Sequence, residues 1–211
     1  MSAPVLDSEL ACHVLLLRLA GRLPDQTLWR FRDWLGEGAL PTLARTMPRA
    51  LLKHDIDLEQ NEYQLLCDAL LPHGADRHQV SSTLGIDEID EDRYSFAMIA
   101  PDRGNAVDTV GVVVNAVMRG RPEVGDVRES WREASQPGRP AKRVLLVDAV
   151  AGMPRLTGEL QRVLRALGDA EPSVEVLPSN IDLPVYHRAA LESSRFVCAG
   201  SAPASGRLVS A

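Results

Sequence analysis

Apolar residues recur at helical spacing through the first eighty positions. Ser8 can cap a helix running through Arg18, in which Leu10, Val14, Leu17 and the flanking leucines form a wide apolar stripe. Gly21 and Pro24 end it, and Pro24 then sits in the first turn of the next helix, DQTLWRFRDWL. There Leu28, Phe31, Trp34 and Leu35 share a face, while Arg30 and Arg32 are expected to point elsewhere. Gly36 and Gly38 close that helix. Pro41 opens a third through Leu43, Met47 and Leu51, which Pro48 is expected to kink or divide. Asp57 caps a fourth, DLEQNEYQLLCDALL, with capping-box spacing to Gln60, and Pro72 and Gly74 end it. Four amphipathic helices on short connectors predict a bundle-like helical region over 1–80.

The pattern changes after residue 80. Residues 81–93 form an acidic connector, with five acids in the six positions Asp87–Asp92. Tyr94–Ala100 is a strand, and Asn105 or Asp108 caps a helix through Met118, although Val110 and Val112–Val114 carry strand propensity. Val127–Ala134 reads as an edge strand or a short helix, and SQPGRP as a turn. Then come strand Arg143–Asp148, helix Thr157–Leu167, strand Ser173–Leu177, helix Leu183–Ser193 and strand Phe196–Ala199. Alternating strands and helices predict a small α/β domain over 94–200, a mostly parallel sheet flanked by helices, within a chain that is α+β overall. If Val127–Ala134 pairs with Arg143–Asp148 as a hairpin, a split βαβ arrangement results instead. Residues 201–211 read as a flexible, linker-like tail.

Composition narrows the function classes. At 211 residues, 45% apolar and 25% charged, the chain is long and apolar enough to fold as one or two domains. No apolar run is long enough to span a membrane, and Glu9, His13 and Arg18 interrupt the one stretch resembling a signal peptide, so a cytoplasmic protein is expected. Cys12, Cys67 and Cys198 are too few and too widely spaced for a disulfide or zinc framework. The net charge of −6 argues against nucleic-acid binding, because the basic stretch after residue 103 is diluted by Glu123, Asp126, Glu129 and Glu133.

Candidate chemistry concentrates where strands end. Asp148 follows the apolar run Val144–Val147, and the loop after it leads through Gly152 to Thr157 at an expected helix start, where free N–H groups can hold an anion. Neither GxGxxG nor GxxxxGK[ST] is present, and Pro154 stiffens the loop. Asp102 and Arg103 after the first strand and Asn180 after the fourth complete a possible strand-end ligand site. His54, Cys67, His73, Asp76 and His78 have no diagnostic metal spacing, and no nucleophile–base motif occurs. His187 is expected to be solvated on the surface. Trp131 between Arg128 and Arg132 suits a protein-contact anchor, or equally the docking of an edge element onto the helical half.

The expectation is therefore a non-enzymatic interaction or regulatory protein, with no catalytic residues, metal or cofactor, whose partner is another protein or a second copy of itself. The alternative is a small α/β enzyme or an anion- or nucleotide-binding protein working from the loops around Asp148.

Overall fold

The computed structural model describes residues 7–85, 94–99, 108–134 and 141–203. The chain forms two compact units, 1–90 and 91–211. The acidic run at 87–92, Asp102, Arg103, Asn105 and the SQPGRP turn lie outside the described residues.

The first unit is helical. Helix α1 (Ser8–Arg18) buries every residue from Ala11 to Leu17, as a helix apolar on most of its circumference must, and packs against α2 (Asp25–Gly36) and α4 (Gln60–Leu70). Arg32 does not point away. It falls with Leu28, Phe31 and Leu35 on the i, i+3, i+4, i+7 stripe, is buried, and donates from Nη2 to the Leu16 carbonyl at 3.2 Å. Helix α3 (Leu40–Lys53) is undivided at Pro48. The buried stripe Leu43, Ala44, Met47 and Leu51 holds it across the missing N–H.

Helix α4 starts at Gln60, two residues later than the Asp57 cap predicts. Glu59 is its N-cap, and Glu59 and Glu62 form a reciprocal capping box. Leu58 is freed to pair with the chain after α5 (Arg77–Ser81): its N–H donates to the Thr83 carbonyl at 2.8 Å, and its carbonyl accepts from Gly85 at 3.1 Å. Arg22 Nη1 donates to both oxygens of the buried Glu62 carboxylate, at 2.7 and 2.9 Å, and Nη2 donates to the Asp57 carbonyl. The connector after α1 is thus latched to the start of α4.

Burial pushes the Cys12 thiol up to about 12, with Glu9 adding to the effect. A thiol held neutral in the fold ionises first in the unfolded chain, so its stabilisation is whole below about pH 9 and disappears as pH rises towards 12. We expect the wild-type protein to lose stability more steeply over that range than Cys12→Ala, as read by urea denaturation at stepped pH. Parallel curves would refute it.

The second unit is a five-stranded mixed sheet with helices on both faces. Its strands are β1 (Tyr94–Ala97), β2 (Val124–Ala134), β3 (Lys142–Ala149), β4 (Ser173–Pro178) and β5 (Ser194–Ala199). β3 and β4 are parallel, whereas β2 pairs antiparallel with β1, β3 and β5. Four strands therefore run one way and only β2 runs against them. The expected parallel bias survives in strand direction, while the pairing is mixed because β2 lies in the middle. β2 and β3 form the hairpin allowed for in the split arrangement. β1 and β5 lie end to end on the far side of β2, opposite 131–134 and 126–130 respectively.

Helix α6 (Thr109–Met118) is a helix despite its valines, begun by the Asp108 carboxylate accepting from the Gly111 N–H at 3.0 Å. It contacts β5 and α7 (Met153–Ala166), and α7 covers β4. Helix α8 (Val185–Glu192) packs on β1 and β2 from the opposite face. Among the described residues no helix is long and apolar enough to cross a membrane.

Candidate functional site

The parallel β3–β4 pair brings Asp148, Gly152 and Asn180 to one end of the sheet. Asp148, half-buried, stands opposite Leu177, and Ala149 stands opposite Pro178. Asn180 is exposed in the turn after β4, where the Ser179 hydroxyl donates to the Ala149 carbonyl at 3.5 Å. Gly152 caps α7 in the left-handed region, φ 65°, with no side-chain cap. Helix α7 begins at Met153, four residues earlier than expected. Thr157 is consequently a buried interior residue whose hydroxyl donates to the Met153 carbonyl at 2.9 Å, so its N–H is not at the helix start.

The strand ends do not all converge. β3 ends opposite Val124 and β1 ends opposite Trp131. Those points are seven residues apart on β2, roughly 23 Å at the rise of a strand. The loop leaving β1, in which Asp102 and Arg103 lie outside the described residues, therefore departs from the middle of the sheet edge rather than from the end that holds Asp148.

That end is closed by backbone. Gly200 donates to the Gly125 carbonyl at 2.8 Å, Ser201 to Arg121 at 2.8 Å and Ala202 to Val124 at 2.9 Å. A Cβ on Gly200 would stand 2.1 Å from the Val124 oxygen and 2.6 Å from that of Arg121. Gly200→Ala is therefore expected to cost about 1–3 kcal/mol, the usual range for overpacking. A shift in melting temperature would report it, and an unchanged value would mean the two strands separate freely.

The ionisable groups are gathered on the two faces of the sheet. On the α6 face, Asp108, Glu129, Arg143 and Arg195 form one cluster. Arg195 donates from Nε to Glu129 Oε1 at 2.6 Å and from Nη2 to Asp108 Oδ2 at 2.8 Å. Arg143 donates from Nη2 to Asp108 Oδ1 at 2.9 Å, and its Nη1 lies 3.4 Å from Glu129 Oε2, close enough for an ion pair. Burial lowers the Arg195 pKa, but the hydrogen bond and charge of Glu129, with those of Asp108, outweigh it and raise the value overall.

The α8 face holds a buried dyad. His187 Nε2 lies 2.9 Å from Glu175 Oε2, both side chains are fully buried, and the Ser173 hydroxyl reaches Glu175 Oε1 at 3.3 Å. His187 is thus a core residue and not a solvated surface one. Two helix positions one apart, Tyr186 and His187, are both buried because the broad sheet covers more than one stripe of the short helix.

The three residues expected at a partner surface are built into the sheet. Arg132 is buried, its guanidinium 4.6 Å over the Tyr94 ring and its Nη1 donating to the Tyr186 hydroxyl at 3.2 Å. Arg128 donates from Nε to the Ser194 hydroxyl at 2.8 Å. Trp131, half-buried, lies under the Arg143 guanidinium at 5.0 Å.

In the first unit, a shallow cleft is lined by Tyr63, Leu71, Arg77, His78, Val80 and Ser81. Neighbouring Asp76 is occupied as the cap of α5, accepting from the His78 and Gln79 N–H groups at 2.9 and 3.1 Å. Among the described residues no three His, Cys, Asp or Glu side chains are placed to share a metal ion. No family model, no curated protein and no solved structure matches this chain.

Proposed function

We propose that this protein is a non-catalytic interaction or regulatory protein that acts through protein–protein contacts. One contrast carries the reading. Among the described residues, buried and half-buried charged groups of the sheet unit are spent on one another, in the Asp108–Glu129–Arg143–Arg195 cluster and the Glu175–His187 dyad, whereas large apolar side chains on the same unit face solvent. Catalysis needs ionisable groups able to reach a substrate; binding needs apolar area that water leaves at a gain. Affinity capture with the purified full chain as bait, followed by mass spectrometry, tests it. The expected result is a defined partner, or the chain itself, retained by wild type and lost on Phe196→Glu. A bait that retains nothing and also remains monomeric in solution would end the reading.

The second reading is anion binding or small-molecule chemistry at the end of the parallel pair, supported by the co-location of Asp148, Gly152 and Asn180. It expects inorganic phosphate or a nucleotide to raise the melting temperature of wild type but not of Asn180→Asp. The interaction reading expects no shift in either.

A further inference from the structure

Among the described residues no strand pairs with the outer edge of β5. β5 pairs with β2 on one side only, and among the described residues only its last residue is engaged on the other, where the Ala199 carbonyl accepts from Gly120 at 3.3 Å. Exposed apolar side chains stand at this edge and on the outer side of the helix packed against β5. Phe196 on β5 is 55% exposed. Met98 and Ile99, which leave β1 where it meets β5 end to end, are 50% and 69% exposed. Val112, 61% exposed, lies on α6, the helix packed against β5. An unpaired strand bearing an exposed phenylalanine is the arrangement that single-copy proteins usually blunt.

We infer that this edge is the interface of a symmetric homodimer, in which β5 pairs antiparallel with β5 of a second copy and the two α6 helices run antiparallel beside each other on one face of a continuous sheet. This rests on the interaction reading above and names its partner. The charges at the edge select a second copy. From Thr109 to Met118 helix α6 has no ionisable residue, so it offers a charged partner nothing to pair with and its own copy nothing to repel. With Phe196 facing Phe196 across the two-fold axis, the one charge on β5, Arg195, would lie diagonally across the axis from its counterpart. It is already compensated by Glu129 at 2.6 Å and Asp108 at 2.8 Å, which removes that repulsion. Antiparallel α6 helices also set the positive end of each dipole beside the negative end of the other.

Two-fold symmetry satisfies strand and helix together, because a rotation about the sheet normal keeps both α6 helices on the same face. The contact is one strand edge and one helix flank per copy. A contact of that extent is expected to fall below the roughly 800 Å² a side of a standard interface, so the dimer is expected to depend on concentration.

Sedimentation velocity of the full chain over a concentration series tests this. Wild type is expected to move from monomer to twice its mass, while Phe196→Glu and Val112→Glu each stay monomeric with unchanged circular dichroism and melting temperature. Phe196→Cys is expected to form a disulfide-linked dimer on mild oxidation, and Leu167→Cys, exposed on α7, is not. A wild type that stays monomeric throughout overturns the homodimer, as does a dimer that survives both glutamate substitutions. If wild type is monomeric yet captures a different protein through Phe196, the homodimer fails and the interaction reading stands. If the edge instead binds neutral phosphatidylcholine vesicles, both fail.

Discussion

Glu129→Ala is expected to destabilise the sheet unit by about 3 kcal/mol, near the lower end of the cost of breaking a buried ion pair. The Glu129 side chain has no exposure, and it holds two arginines, Arg195 at 2.6 Å and Arg143 at 3.4 Å. Removing it leaves Arg143, only 11% exposed, with Asp108 as its remaining carboxylate, under a tryptophan ring that offers no counter-charge. Arg195 is 42% exposed and recovers hydration, which is why the expected loss stays near the lower bound. Glu129→Gln keeps the shape and one acceptor, so it should lose less. Equilibrium urea denaturation of the three proteins separates the effects. A loss under 1 kcal/mol for Glu129→Ala would mean that Asp108 alone neutralises both arginines, and the charge compensation argued for the β5 edge would then rest on Asp108.

The elements that were legible are those whose period one face of burial dictates. α1, α2, α3 and α7 show apolar stripes, and β3 and β4 show short apolar runs, because each packs in the way its pattern implies. β2 was ambiguous for the same reason. In RESWREA the polar residues face both sides of the sheet, a pattern that reads as an edge strand or a solvated helix. The strand is nevertheless central. Glu129 is neutralised by arginines arriving from β3 and β5, 14 and 66 positions later in the chain, and Arg132 is held by the Tyr94 ring of β1 and the Tyr186 hydroxyl of α8. Burial of those groups is a property of partners that no local window contains.

The candidate site divides along the same line. Asp148, Gly152 and Asn180 could be placed because adjacent parallel strands end together, which is a topological rule. Thr157 lies inside α7 because Gly152 in the left-handed region starts the helix one turn earlier, and Pro154 near its N-terminus is the sequence signal for that start. Glu175 and His187 carried no signal at all. A glutamate between two valines on a buried strand looks like an exposed position on an alternating one. Its partner His187 is twelve residues away in the chain, at an Nε2–Oε2 distance of 2.9 Å.

That dyad makes the largest expected effect. His187→Ala leaves a glutamate with no exposure facing the space of a missing imidazole, and removal of one member of a buried pair costs about 3–5 kcal/mol. The Ser173 hydroxyl at 3.3 Å stays on Oε1, on the other side of the carboxylate from the missing ring. Glu175→Leu removes the other member and leaves His187 in an apolar pocket with Tyr186, whose ring centroid lies 5.1 Å away. A neutral imidazole tolerates such a place better than a carboxylate does, so Glu175→Leu should cost less than His187→Ala. The pair Glu175→Leu with His187→Leu removes both polar groups at similar volume, and the double variant is expected to be more stable than His187→Ala alone. The single His187→Leu closes a double-mutant cycle with Glu175→Leu and the double variant, and additive losses in it would show that the 2.9 Å contact contributes no coupling, and that α8 is held to the sheet by Tyr186 and Ala190 instead.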